Sequence, residues 1–166
     1  MTVTRRFAVL AGAAALTGCA GNSKFRSYNG PEVTRVIVQK GSRDMFLLHH
    51  RKLLKRYRVH LGFAPEGHKR FEGDGRTPEG HYLIDRRNPN SAFHLSIGVS
   101  YPNEADIAYA SAMGLSPGGD IFIHGEPNAG TVPGRDWTAG CIAVANREIE
   151  DVYAMVRNGT PITIQA

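Results

Sequence analysis

Glycine and proline cut this chain into short pieces. There are 19 glycines and 9 prolines in 166 residues, against average usages near ~7% and ~5%, so glycine carries the excess. The densest run of breaks, PEGHKRFEGDGRTPEG from Pro65 to Gly80, reads as loop. The pieces between breaks mostly have the period-two alternation of strands. EVTRVIVQK (Glu32 to Lys40) alternates and is rich in β-branched residues. DMFLL and LLKRYRVHLG flank the turn-like HHRK and predict a hairpin. GHYLID, AFHLSIGVS, IFIHG and TPITI supply further short strands. Two segments have helical character instead. NEADIAYASAMG has Asn103 as a cap, Asp106 three residues on, and Gly114 for the C-terminal turn. NREIEDVYAMVRNG places Ile149, Val152, Tyr153 and Val156 on one face, with Asn146 as its cap and Gly159 as its close. The expected fold is mainly β with two short helices.

The first residues belong to a different kind of argument. Arg5 and Arg6 precede a short apolar stretch, Phe7 to Leu16, far below the ~20 residues that cross a bilayer. LTGC (Leu16 to Cys19) follows. This arrangement resembles a lipoprotein processing site, with Cys19 lipidated and made the new N-terminus, and the arginine pair resembles part of a twin-arginine export signal. The expected organisation is a signal peptide over 1–18, a linker over 19–32, and one catalytic domain over 33–166. That domain is large enough for its own core. The product would sit in the cell envelope, held to a membrane through lipid on Cys19 and facing the periplasm.

Charge excludes more than it selects. The chain is formally +5, and removal of Arg5 and Arg6 lowers this by two. The basic cluster Arg51, Lys52, Lys55, Arg56 and Arg58 alternates with apolar residues, as a strand with one wet face does. An anionic wall polymer or lipid headgroup is the second reading. Nothing resembles a nucleic-acid module. Seven histidines are present, but no CxxC or HxxxH spacing accompanies them, and His49 and His50 fall at a turn. No metal or organic cofactor is expected.

One of the two cysteines is thus assigned to lipid, and Cys141 is left as a lone thiol in an exported chain. His124 lies seventeen residues upstream, at the end of an apolar strand and before Gly125. The segment between them is rich in glycine, proline and polar residues, a loop able to bring the two together. A thiol attacks as thiolate and needs a base or a positive field. Gly140 lets a carbonyl approach the backbone, where nearby amides can stabilise an oxyanion. Taken singly, His124 reads as a core histidine and Cys141 as a small buried hydrophobe. Taken together they read as a base and a nucleophile.

IFIHG followed by WTAGCIAV resembles the signature of the L,D-transpeptidase (YkuD-like) family: a histidine, a loop of about this length, then Ser/Thr-His-Gly-Cys. GDGRTPEGHYLI is similar to that family's Thr-Pro-x-Gly segment, and GLSPGGDIFIHG is similar to its branch related to murein L,D-transpeptidase YafK. The resemblance covers about residues 33 to 166. It implies packed mixed sheets and a thioester mechanism on peptidoglycan stem peptides without a cofactor. By that resemblance Cys141 is the nucleophile, His124 the proton acceptor and donor, and the Gly125 carbonyl the group that orients the imidazole. The amides of Gly140 with those of its neighbours Ala139 and Cys141 would form the oxyanion hole, and Arg76, Arg135 and Trp137 are candidate substrate contacts. The chain departs from the pattern at Ala139, where many members have histidine, and at Ala143, where many have arginine. Both changes are expected to widen the pocket and favour water over an amine acceptor, as in a carboxypeptidase or amidase. A catalytically weak wall-binding lipoprotein and a metal-binding envelope lipoprotein are the competing readings.

Overall fold

The computed structural model describes residues 23–132 and 134–166. The signal segment and Cys19 lie outside these residues. Eight strands form one curled mixed sheet: β1 (Arg35–Gln39), β2 (Asp44–His49), β3 (Lys52–Arg58), β4 (Gly80–Asn88), β5 (Ser96–Val99), β6 (Phe122–His124), β7 (Ile142–Ala143) and β8 (Pro161–Gln165). Their order across the sheet is β3-β2-β1-β8-β4-β5-β6-β7. The β1–β8 and β6–β7 pairs are parallel and the others antiparallel. Bridges from His60 to Ala143 and from Gly62 to Thr138 tie the chain just after β3 to the region of β7, so the two ends of the sheet meet.

Alternation explains what the curl encloses. In β1, Val36 and Val38 point inward with no exposure, and Ile162 and Ile164 of the neighbouring β8 do the same. Ile84, Ile97, Ile123 and Ile142 continue the core across β4 to β7. β5 is buried at all four positions, because it lies between β4 and β6 and is also touched by α2.

The two helices sit differently. In α1 (Glu104–Ala112), Asn103 Oδ1 accepts from Asp106 N and Asp106 Oδ2 accepts from Asn103 N, as expected from the sequence. Only Asp106 and Ala110 of α1 are buried. Polar contacts anchor it instead: Asp106 also accepts from Tyr82 and pairs with His68 Nε2 at 2.8 Å. α2 (Asn146–Met155) buries Ile149, Val152 and Met155. Its N-cap is Ala145, not Asn146, and it stops at Met155, well before Gly159. Glu148 accepts from the Ala145 amide, which leaves the Asn146 side chain for another use described below.

Residues 24–28, expected as linker, lie along the domain. Arg26 binds Glu150 and Asp151 of α2. Lys24 Nζ donates to the carbonyls of Pro89 and His94, and Tyr28 packs on the core. Residues 92–95, expected as the start of a strand, are loop. They include His94 at φ 64°, and β5 begins only at Ser96.

Candidate active site

Parallel pairing of β6 with β7 places Ile123 opposite Ile142 and His124 opposite Ala143. Ile123 and Ile142 take the core face. Continuing the register one residue back puts Cys141 opposite Phe122, on the same face as His124. Histidine and cysteine are therefore diagonal neighbours on adjacent strands, a separation that longer side chains bridge. Both line a cavity of about 430 Å³ together with Asn88, Ser91, Phe93 and Ser96.

The imidazole is fixed from several sides. Its Nδ1 lies 2.7 Å from the Gly125 carbonyl oxygen. A carbonyl only accepts, so Nδ1 holds the proton and Nε2 is the basic nitrogen. The ring is 3% exposed and packs on Phe93 at 4.5 Å and edge-on to Trp137 at 5.5 Å between centroids. Burial pushes its pKa below the ordinary histidine value, with the Gly125 bond opposing. Gly125 is required by space rather than by its backbone angles. A Cβ there would fall 2.6 Å from Asn146 Oδ1 and 3.0 Å from an Ile149 methyl. That Asn146 oxygen accepts from the Glu126 amide and so holds the turn that follows His124.

Cys141 is a free, half-buried thiol. Its sulfur accepts from the Phe122 amide and donates to the Asp120 carbonyl, each at 3.4 Å. Burial raises its pKa above the ordinary thiol value, with the Phe122 N–H opposing. Burial thus favours the neutral form of both groups.

The turn before the cysteine is built around Thr138. Its hydroxyl donates to the Cys141 carbonyl at 2.7 Å and accepts from the Gly140 amide at 3.1 Å. The Gly140 N–H, expected in the oxyanion hole, is therefore already engaged. Gly140 has another reason to be glycine: φ is 138°, and a Cβ would fall 2.7 Å from the Arg76 carbonyl oxygen. The amides of Ala139 and Cys141 make no hydrogen bond among the described residues.

The three candidate substrate contacts do not reach this cavity. The Arg76 side chain lies beside Gly67 and does not line the cavity. Arg135 is exposed at 3.8 Å from Asp136. Trp137 supports His124 and lines a separate cavity of about 240 Å³ with His60, Glu126 and Glu148. Ala143 also lines that separate cavity and is 1% exposed. Its position therefore does not widen the space around the thiol. Ala139 does face a second cavity that reaches Cys141, of about 400 Å³, lined also by Lys69, Glu72, Gly118 and Asp120.

Several supporting residues gave no functional signal in the sequence. Asp136 binds Arg43 through both oxygens and accepts from the Leu61 amide, which pins the loop before the cysteine. Buried Lys40 donates to the carbonyls of Gly67 and Thr77 and pairs with Glu79. It thereby holds the TPEG segment, whose Thr77 hydroxyl accepts from Gly62. Among the described residues, no group of three His, Cys, Asp or Glu side chains could hold a metal, and no helix is long and apolar enough to cross a membrane.

Comparison with known proteins agrees with this arrangement. The model of the YkuD L,D-transpeptidase catalytic domain matches residues 33–164. The Escherichia coli (strain K12) protein YafK, which itself carries the L,D-transpeptidase name provisionally, is 24% identical over 152 residues. The match takes in 89% of this chain and 56% of YafK, so the chain spans little more than half of that relative. A single-site variant of the helical cell shape determining protein Pgp2 from Campylobacter jejuni superposes with a TM-score of 0.63 at 25% identity, over 82% of this chain and 48% of Pgp2. The L,D-transpeptidase from Mycobacterium smegmatis shares the fold with a TM-score of 0.53 at 15% identity, over 81% of this chain and 59% of that one. With a family match over nearly all of its described length, the chain belongs to the YkuD family of L,D-transpeptidase catalytic domains.

Proposed function

We propose that this protein is a peptidoglycan-modifying cysteine acyltransferase that works on stem peptides through a thioester on Cys141. The observation that carries this is the shared cavity of Cys141 and His124, with the imidazole held so that Nε2 is basic. As the thiol attacks the peptide carbonyl, its proton passes to Nε2 and a C–S bond forms. The tetrahedral oxyanion is met by the amides of Ala139 and Cys141. Collapse breaks the C–N bond, and Nε2 returns the proton to the leaving amine. Water or a second amine then enters beside His124 and releases the acyl group. Because burial favours the neutral form of both partners, the proposed step couples proton transfer to attack.

Hydrolysis is the second reading, and Ala139 favours it. This residue is exposed and offers no side chain to screen the thioester from water. In the same proposal the domain is exported and anchored through lipid on Cys19, with its cavities toward the wall. The test is mass spectrometry of the purified domain mixed with tetrapeptide stems. The expected result is a covalent adduct on Cys141, absent from Cys141→Ala, with loss of the terminal residue from the peptide. Unmodified protein and unmodified peptide after prolonged incubation would refute the reading.

A further inference from the structure

Lys24 belongs to the stretch expected as linker, yet its Nζ donates to two carbonyls at opposite ends of one loop. Pro89 O accepts at 2.7 Å and His94 O at 3.0 Å. That loop joins β4 to β5 and supplies Ser91, Ala92 and Phe93 to the wall of the cavity shared by Cys141 and His124. An ammonium bound to both ends closes the loop as a staple does, and hydrogen bonds from a charged donor are the stronger kind.

His94 is where the contacts converge. Its carbonyl takes Lys24, and its amide donates to Asn128 Oδ1 at 2.9 Å. Its ring Nε2 lies 2.8 Å from Glu150 Oε1, while Glu150 Oε2 accepts from Arg26. Both cations of the 24–26 stretch therefore act on His94, one directly and one through Glu150. The residue sits at φ 64°, a conformation kept only where surroundings impose it.

Two contacts carry this placement on to the base. A Cβ on Gly125 would stand 3.1 Å from the His94 Cβ, so His94 lies directly against the glycine whose carbonyl accepts from His124 Nδ1. The Gly125 amide donates to Phe93 O at 3.0 Å, and the Phe93 ring covers the imidazole at 4.5 Å between centroids. We propose that Lys24 is a positioning residue for the reaction: by stapling Pro89 to His94 it holds Phe93 over the His124 ring and His94 against Gly125, and so fixes the imidazole for its exchange of a proton with Cys141. Lys24 touches neither substrate nor reacting atoms. The inference rests on the acyl-transfer reading above, and it makes the stretch before β1 part of the catalytic apparatus rather than a spacer.

The test compares the parent with Lys24→Met, which keeps the aliphatic stem and loses the donors, and with Lys24→Arg, which keeps charge and donors. Three quantities are measured on each purified protein: the urea midpoint, the rate of adduct formation on Cys141 with tetrapeptide stems, and the titration of the His124 ring protons by NMR. For Lys24→Met the midpoint should stay within about 0.5 M of the parent, since the net worth of such bonds is small. Acylation should slow about tenfold, part of the ~10²-fold that a misplacement of ~1 Å costs. The His124 titration should move up toward the ordinary histidine value, because burial is what holds it down and Phe93 would cover the ring less well. The other titratable groups of that cavity, Cys141 and Asp120, and those beyond Trp137, His60, Glu126 and Glu148, are the same in all three proteins. Lys24→Arg should restore both the rate and the titration. A methionine variant with the parent's rate and titration overturns the inference. So does a slowed variant whose His124 titration has not moved, an arginine variant as slow as the methionine one, or a midpoint loss above about 1 M, which would make Lys24 a residue of general stability. Failure of the parent to acylate on any stem peptide overturns the acyl-transfer reading instead, and the ring titration, which needs no turnover, still decides whether Lys24 places His124.

Discussion

Replacing Thr138 by valine removes one hydroxyl and almost no volume. Thr138 is 4% exposed, and its oxygen serves two backbone groups, the Gly140 amide and the Cys141 carbonyl. Valine satisfies neither. A buried group left without its partner costs ~1–3 kcal/mol. The Gly140 amide has no route to water, so it bears its share in full. The Cys141 carbonyl has partial relief from the Thr77 hydroxyl, 3.5 Å away. Together these give a loss of ~2–3 kcal/mol. With a denaturant slope of ~1–3 kcal/mol/M, the urea midpoint should fall by ~0.7–3 M. The functional effect should be larger in proportion, because the same two bonds set where Sγ stands relative to Nε2, and a misplacement of ~1 Å costs ~10²-fold in rate. Urea unfolding followed by fluorescence, with adduct formation on Cys141 followed by mass, reads both quantities. Thr138→Ser keeps the hydroxyl and should stay near the parent in each. A valine variant within ~0.5 kcal/mol of the parent and acylating at the parent rate would refute the account of this turn.

Cys141→Ser should fold as the parent does and form no product from tetrapeptide stems; unchanged turnover would remove Cys141 from the mechanism. Alkylation of Cys141 by iodoacetamide should rise only above the ordinary thiol range, since burial keeps the thiol protonated there, while the acid limb of acyl transfer should fall below the ordinary histidine range, since a lowered pKa leaves His124 neutral further into acid. Limbs at the ordinary values would contradict the burial of both groups. In a muropeptide digest, hydrolysed or small-amine products should exceed cross-linked dimers, on the strength of Ala139 alone; a digest dominated by dimers would show that position to be neutral. Cys19→Ala should release the protein from membranes without altering catalysis by the domain, and retention through a high-salt wash would locate the attachment elsewhere.

The strands were legible because alternation survives in short windows. Val36, Val38, Tyr82, Ile84, Ile162 and Ile164 all face the core as their spacing indicates. Sheet order was not legible. Nothing local in β1 states that its second neighbour is β8, the last strand in the chain. β7 is two residues long and acquires its structure from β6 and the His60 bridge rather than from its own pattern. The start of α2 departs from its local signal for a related reason. Asn146 is a good cap by type, but its oxygen is committed to the Glu126 amide, a tertiary demand that outweighs local preference.

Cys141 and His124 were legible singly, each flanking an apolar run, whereas their shared cavity depends on how short the strands are: parallel registry sets Cys141 opposite Phe122 and leaves His124 only two positions further on. The supporting residues could not be read that way, since their value lies in contacts far along the chain. Asp136 acts through Arg43 and Leu61, and Lys40 through Gly67 and Thr77. The oxyanion hole shows the same limit most sharply. Gly140 was singled out for its freedom of backbone, and that freedom is real: φ is 138° and the Arg76 carbonyl leaves no space for a side chain. The conformation that demands glycine also turns the amide onto Thr138, so the residue shapes the turn, and the proposed mechanism draws on the amides beside it instead.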